Sequence, residues 1–253
     1  MPYSTRPESK DVSLPQITTM DTAPLISLSN VFISHQDGPI LSHVNLQIPK
    51  GDFVYMIGKS GAGKTSLLRA LYADVPITEG SASVCGFDLT HLRRRDLPRL
   101  RRSIGIVFQS FRLLPDRNVR DNLLFVLRAT GWKKRKEMDA RIEEVLQWVG
   151  VADKAGSMPF RLSEGEQQRV GIARAIINNP ALILADEPTG NLDPITSQEI
   201  ISLLRDINKK QEVTMLISTH DFMTIEKYPA RVVCCENGTL VDPEANQREA
   251  EAQ

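Results

Sequence analysis

Residues 58–66 read Gly58-Lys59-Ser60-Gly61-Ala62-Gly63-Lys64-Thr65-Ser66 and follow directly on the apolar run 53–57, Phe-Val-Tyr-Met-Ile. The spacing satisfies G-x-x-x-x-G-K-[ST], and the setting predicts a strand, then the loop, then a helix, which is the context of a phosphate-binding P-loop. Glycines let the backbone wrap so that successive N–H groups point inward at phosphate oxygens, and a helix opening near Lys64 adds its positive end. The whole segment Gly58, Lys59, Ser60, Gly61, Ala62, Gly63, Lys64, Thr65 and Ser66 is therefore the candidate cradle. Within it Lys64 is expected on the β- and γ-phosphates and the Thr65 hydroxyl on Mg²⁺, because magnesium takes a few protein oxygens and completes its shell with phosphate and water. Guanine is not the expected base, since the nearest approach to N-K-x-D, Asn208-Lys209-Lys210-Gln211, lacks the aspartate.

Further apolar runs lie at 25–33, 44–48, 104–108, 181–185, 213–218 and 232–235. Several are continuous rather than alternating, which predicts strands buried on both faces of a helix-covered sheet. Helical patterns are expected at 64–73, 133–149, 164–178 and 194–209, with Ile142, Val145, Leu146 and Val149 on one apolar face, and Asn237-Gly238 marks a hairpin. The order predicts antiparallel strands first, then α/β units, with a helical insertion near 110–160. Leu182-Ile183-Leu184-Ala185-Asp186-Glu187 is an apolar strand ending in two acids, and open α/β sheets bind ligands at that carboxyl edge. Asp186 is placed to hold the metal, and Glu187, one residue farther, to polarise the attacking water.

The 253 residues carry 31 Lys+Arg against 31 Asp+Glu, with 41% hydrophobic and 25% charged residues. That is an ordinary folded-domain composition, which excludes disordered and fibrous classes and gives no net-charge argument for a polyanion partner. No run approaches the ~18 apolar residues of a membrane span and no signal peptide opens the chain, so a cytoplasmic location is expected. Residues 1–24 and 242–253 are polar and aperiodic and are expected to be flexible, leaving a folded part at 25–241. Cys85, Cys234 and Cys235 form neither a disulfide framework nor a metal set, and are expected to be small buried hydrophobes. Two basic clusters, Arg93, Arg94, Arg95, Arg99, Arg101 and Arg102, and Lys133, Lys134, Arg135 and Lys136, read as solvated helical faces. A peripheral contact with anionic headgroups is a second reading of them, and nucleic acid is not expected because no stacking aromatics are interleaved.

Leu162-Ser163-Glu164-Gly165-Glu166 stands some twenty residues before the acids and is followed by Gln167-Gln168-Arg169-Val170-Gly171-Ile172-Ala173-Arg174-Ala175. Here the chain resembles the ABC-type ATPases, whose signature motif and following helix have this form. Other family elements fall in order: Gln109 matches the Q-loop, Asp186-Glu187 the Walker B motif with its catalytic acid, Asn191-Leu192-Asp193 the D-loop and His220 the switch histidine. The resemblance implies an α/β P-loop NTPase fold with a RecA-like parallel sheet core, an antiparallel β subdomain and a helical subdomain at about 110–178. It also implies ATP and Mg²⁺ as ligands, with Gln109 beside Thr65 and Asp186 at the metal, and Lys64, Gln109, Glu187 and His220 in catalysis. Two copies would close head to tail over ATP, with Ser163, Gly165 and Asp193 reaching nucleotide across the interface.

The chain departs from the family pattern twice. Glu164 replaces the first signature glycine, which puts a carboxylate near a γ-phosphate unless it points away, and His35 occupies the position of the adenine-stacking aromatic, with Phe32 as the nearby competitor. Within the family the run Leu113-Leu114-Pro115-Asp116-Arg117-Asn118-Val119-Arg120-Asp121-Asn122 is most similar to the cell-division (FtsE-type) branch. That branch implies an FtsX-like integral membrane partner at the cytoplasmic face of the inner membrane. The ATPases of lipoprotein-release and macrolide-export systems share Ala185-Asp186-Glu187-Pro188-Thr189-Gly190-Asn191-Leu192-Asp193 and stand as the alternative. On this resemblance the segment from Phe111 to Asn122 is expected to form part of the cleft that receives the partner's cytoplasmic helix, and an exposed apolar patch around Phe111, Leu113 and Leu114 would fit such a docking site.

Overall fold

The computed structural model describes residues 23–35 and 38–243, the side chain of His35 excepted. The expectations of flexible ends at 1–24 and 242–253 lie almost wholly outside the described residues, as does stacking by His35. Two sheets carry the fold. The first has strand order β2-β1-β4-β5, from β1 (Ile26–His35), β2 (Gly38–Ile48), β4 (Ile77–Val84) and β5 (Phe87–Asp88), all antiparallel. The second has order β10-β9-β3-β8-β7-β6, from β3 (Phe53–Ile57), β6 (Ile104–Val107), β7 (Leu182–Asp186), β8 (Thr214–Ser218), β9 (Arg231–Glu236) and β10 (Thr239–Val241). It is parallel from β6 to β9, and β10 folds back antiparallel on β9 through Asn237-Gly238.

The continuous apolar strands of the second sheet are buried on both faces, and their side chains alternate between two cores. Val54, Met56, Leu182, Leu184 and Leu216 face the antiparallel sheet and helix α1 (Lys64–Leu71). Tyr55, Ile183, Ala185, Met215 and Ile217 face the helices α3 (Val119–Ala129), α4 (Arg135–Trp148), α5 (Glu164–Ile176) and α6 (Pro194–Gln211). Burial of such residues contributes roughly 1.5–3 kcal/mol each and is the main stabilising term on both sides. Short helices α2 (Leu97–Arg102) and α7 (Phe222–Lys227) complete the chain.

Several expectations are corrected. Strands β4 and β5 follow α1 and return to the antiparallel sheet, so that sheet is not confined to the start of the chain. Only alternate β4 residues Ala82 and Val84 are buried, and Gly80, Ser81 and Ser83 diluted the apolar signal. Helix α1 ends at Leu71 rather than 73, with Ala73 in a left-handed conformation, and α4 starts at Arg135 because Lys134 has extended dihedrals. Of the cysteines only Cys235 is buried, while Cys85 and Cys234 are half-buried, and all three are free. Phe111, Leu113 and Leu114 form no exposed patch: all three are half-buried, and Leu113 packs against the helical core.

Candidate active site

The P-loop leaves β3 through Gly58 and enters α1 at Gly63, whose φ of 100° no ordinary side chain adopts cheaply. A Cβ there would lie 2.9 Å from the Leu41 side chain, so β2 packs directly on the loop. Lys64 is 6% exposed and its Nζ donates to the carbonyls of Gly58 at 2.7 Å and Lys59 at 3.2 Å. It also stands 3.7 Å from a Glu187 carboxylate oxygen. The ammonium is thus held inside the loop by groups that a phosphate can replace.

Strand β7 delivers Asp186 and Glu187 beside this lysine, and Ser218 at the end of β8 orients both. The buried Ser218 hydroxyl donates to Asp186 Oδ1 at 2.7 Å and accepts from the Glu187 N–H at 3.0 Å, while the Ser218 carbonyl accepts from the same N–H at 3.1 Å. Glu187 has φ of 46°, a left-handed turn that aims its carboxylate off the strand axis. Its Oε2 meets His220 Nδ1 at 3.1 Å. Lys64 and His220 therefore flank one carboxylate.

A cleft of about 560 Å³ gathers Ser60, Gly61, Gly63, Lys64, Thr65, Ser66, Gln109, Asp186 and Glu187, with Ile40 on its wall. Gln109 is held there by the Asn191 amide, which donates to the Gln109 carbonyl at 3.2 Å and accepts from Gln109 Nε2 at 3.4 Å. Thr65, Gln109 and Asp186 offer hydroxyl, amide and carboxylate oxygens to one space, and no group of three His, Cys, Asp or Glu is clustered for a metal among the described residues. That donor set fits Mg²⁺, a hard ion that binds through few protein ligands, and not a thiolate- or imidazole-bound metal. Lys59 and Ala62 turn instead toward a neighbouring hollow lined by Cys235, Glu236 and Asn237, which Ser60 and Gly61 also border.

Ser163, Gly165 and Asp193 do not line this cleft. Ser163 caps α5 in a reciprocal capping box with Glu166, at 3.2 Å and 2.9 Å. Gly165 sits against α6, where a Cβ would fall 2.6 Å from Thr196 Cγ2, and Asp193 caps α6 through the N–H groups of Ile195 and Thr196. Glu164 is exposed in the first turn of α5, where the helix dipole favours a carboxylate. Sequence reasoning missed Ser218 and Asn191 as orienting groups, although both stood inside motifs it had marked. It also missed Gln168, whose buried amide donates to the Pro188 carbonyl at 2.7 Å and ties α5 to the turn after the acids. Asn208 is structural: its amide bonds the carbonyls of Gly51 and Val213.

The ABC transporter family model matches residues 41–190, which include the P-loop, Gln109, the α5 motif and both acids. The chain belongs to the ABC transporter family. It is an ATP-binding, ATP-hydrolysing subunit of that kind. Cell division ATP-binding protein FtsE of Streptococcus pneumoniae serotype 2 (strain D39) is 43% identical over 222 residues, 87% of this chain and 96% of the relative. Methionine import ATP-binding protein MetN of Carboxydothermus hydrogenoformans is 45% identical over 202 residues, 80% of this chain but 60% of the relative. Among solved structures, the dimeric post-hydrolysis state of the ATP-binding cassette MJ0796 bound to ADP and Pi matches with a TM-score of 0.77 at 33% identity, over 86% of this chain and 98% of that one.

Proposed function

We propose that this chain is the ATPase subunit of a membrane complex of the FtsE type, working with an FtsX-like integral membrane protein in cell division. The observation that carries the reading is the alignment with FtsE, which runs over 96% of that protein's length, whereas the MetN relative extends well beyond the match. No helix among the described residues is long and apolar enough to cross a membrane, so coupling to a bilayer falls to a partner chain at the cytoplasmic face. The catalytic unit is assigned to 25–241, with its helical part at 110–178.

In the proposed cycle ATP enters the cleft, and Lys64 exchanges the carbonyls of Gly58 and Lys59 for the β- and γ-phosphates. Main-chain N–H groups of 58–66 and the start of α1 bind the remaining phosphate oxygens. Thr65, Asp186 and Gln109 hold Mg²⁺, which when bound neutralises phosphate charge. Glu187, released from Lys64, accepts the proton of the water whose oxygen bonds to the γ-phosphorus as the bond from that phosphorus to the β–γ bridging oxygen breaks, leaving ADP and phosphate, and His220 orients the γ-phosphate side of the site; a general base of this kind contributes about 10²–10⁴-fold. A second copy of the chain brings Ser163 and Gly165, at the positive end of α5, to the same γ-phosphate, with Asp193 beside them. ATP then holds the head-to-tail dimer closed and hydrolysis opens it.

A methionine-importer role is the second reading, favoured by the 45% identity to MetN. Co-expression of the chain with an FtsX-like protein, and separately with importer and lipoprotein-release permeases, followed by co-purification and ATPase assay of wild type and Glu187→Gln, tests both. Glu187-dependent activity with the FtsX-like protein alone supports the division reading. Pairing with a permease alone keeps the ATPase and replaces its task with transport.

A further inference from the structure

The loop that leaves Gln109 is gripped from the signature helix. Phe111 and Arg112 are consecutive non-glycine residues in the left-handed region, with φ of 52° and 50°. Such backbone persists only where surrounding contacts over-determine it. Two of those contacts come from one side chain: Arg174 of α5 donates from one guanidinium nitrogen to the Arg112 carbonyl and from the other to the Phe111 carbonyl, the latter at 2.7 Å. The same guanidinium lies 5.7 Å from the centre of the Phe108 ring, over which Arg112 also stacks at 4.3 Å. One turn earlier on α5, Gly171 also lies beside this loop, the Phe111 carbonyl oxygen standing 3.9 Å from where a Cβ would be, an ordinary contact distance.

We propose that Arg174 is a positioning residue for Gln109, fixing the carbonyls two and three residues downstream so that the glutamine side chain is presented to the phosphate cleft. Among the described residues its hydrogen bonds fall on this one loop and it makes no ion pair. Burial first, and the nearby Arg112 second, push its pKa down to about 10, which still leaves a cation at neutral pH for two charge-assisted bonds. A lysine has no planar fork to serve both carbonyls and stack on Phe108 together. Asn191 holds Gln109 from the acid side, so the residue is pinned between the turn after Glu187 and the signature helix.

The inference rests on the assignment of Gln109 to the metal and water, and a double-mutant cycle separates the two. Arg174→Met, which keeps the stem and removes the donors, is expected to lower kcat about 10–100-fold, the usual cost of losing an outer-shell partner, with KM for ATP changed less than about twofold. In a Gln109→Ala background Arg174→Met is expected to lower kcat no further. Additive losses in the cycle, or a KM effect equal to the kcat effect, overturn the positioning role. An unchanged kcat in Gln109→Ala alone overturns the Gln109 assignment instead. Should Arg174→Met fail to fold, Arg174→Lys in the same cycle decides the question: a loss of kcat that disappears with Gln109 removed supports the role, and wild-type kcat refutes it.

Discussion

Asn122 is 2% exposed and uses both amide hydrogens and its carbonyl oxygen on the chain between Gln109 and α3. Its carbonyl accepts from the Leu114 N–H at 2.7 Å, and its NH₂ reaches the carbonyls of Leu114, Arg117 and Asn118 at 3.1, 3.0 and 3.0 Å. Two hydrogens shared among three carbonyls, plus the accepted bond, amount to three full bonds. Asn122→Ala removes them and leaves the Leu114 N–H without its partner in a half-buried turn, at a cost of about 1 kcal/mol per bond, or about 3 kcal/mol together. For a chain of this size about 3 kcal/mol lowers Tm by roughly 6–12 °C. The assay is thermal unfolding followed by circular dichroism without nucleotide, with Asn122→Asp alongside. The aspartate keeps the acceptor, loses both donors and sets a carboxylate against three carbonyls, so it is expected to melt no higher than the alanine variant. A Tm for Asn122→Ala within 2 °C of wild type refutes the claim that this side chain organises the turn.

Lys64→Ala is expected to abolish ATP binding by equilibrium fluorescence, whereas Glu187→Gln keeps binding, lowers kcat about 10²–10⁴-fold and accumulates an ATP-bound dimer on gel filtration. Full turnover in Glu187→Gln refutes its role as base. In Gly190→Ala the new Cβ falls 2.9 Å from Gln109 Nε2, the movable end of a side chain, so stability should hold while kcat drops about 10–100-fold from a displaced glutamine; unchanged kcat counts against Gln109. Glu166 has its pKa lowered from 4.5, first by the Ser163 N–H and then by Lys154. Because the folded-state value is the lower one, the stability it adds is complete above about pH 4.5 and disappears as pH falls through the depressed value. The Tm–pH curve of Glu166→Gln is therefore expected to converge on that of wild type below this window, and a constant offset between the two curves refutes the linkage.

The parallel sheet was legible because its strands are continuous apolar runs. Phe53–Ile57, Leu182–Asp186 and Thr214–Ser218 lie where the composition of the chain put them. The P-loop and the two acids could be found from spacing alone, since each hangs on the end of such a strand. Strand β4 was not legible, because glycine and serines interrupt its one buried face. Nor was α3, which begins at an Asn118 cap hidden within a run of mixed charge, although its Asp121 and Asn122 stood in the quoted motif. The exposed apolar patch expected at Phe111, Leu113 and Leu114 is absent because hydropathy does not report backbone direction: left-handed Phe111 brings its carbonyl onto Arg174 of α5. Ser218 and Gln168 were invisible as site residues, since their partners lie 32 and 20 residues away and only the fold brings them together.

Strands β3, β7 and β8 act as a party wall between two interiors, and successive side chains along each belong to opposite rooms. Leu184 and Ile183 are neighbours in sequence, yet Leu184 supports the antiparallel half and Ile183 the helical half. Truncating either one opens a void on a different side, which gives an experimenter a handle on each half separately. The P-loop, Asp186, Glu187 and Ser218 are all mounted on the top of that wall. Loosening of either room reaches them only by bending strands that the other room still braces, so amide exchange should be slowest along these three strands and the catalytic groups should keep their spacing while the periphery breathes.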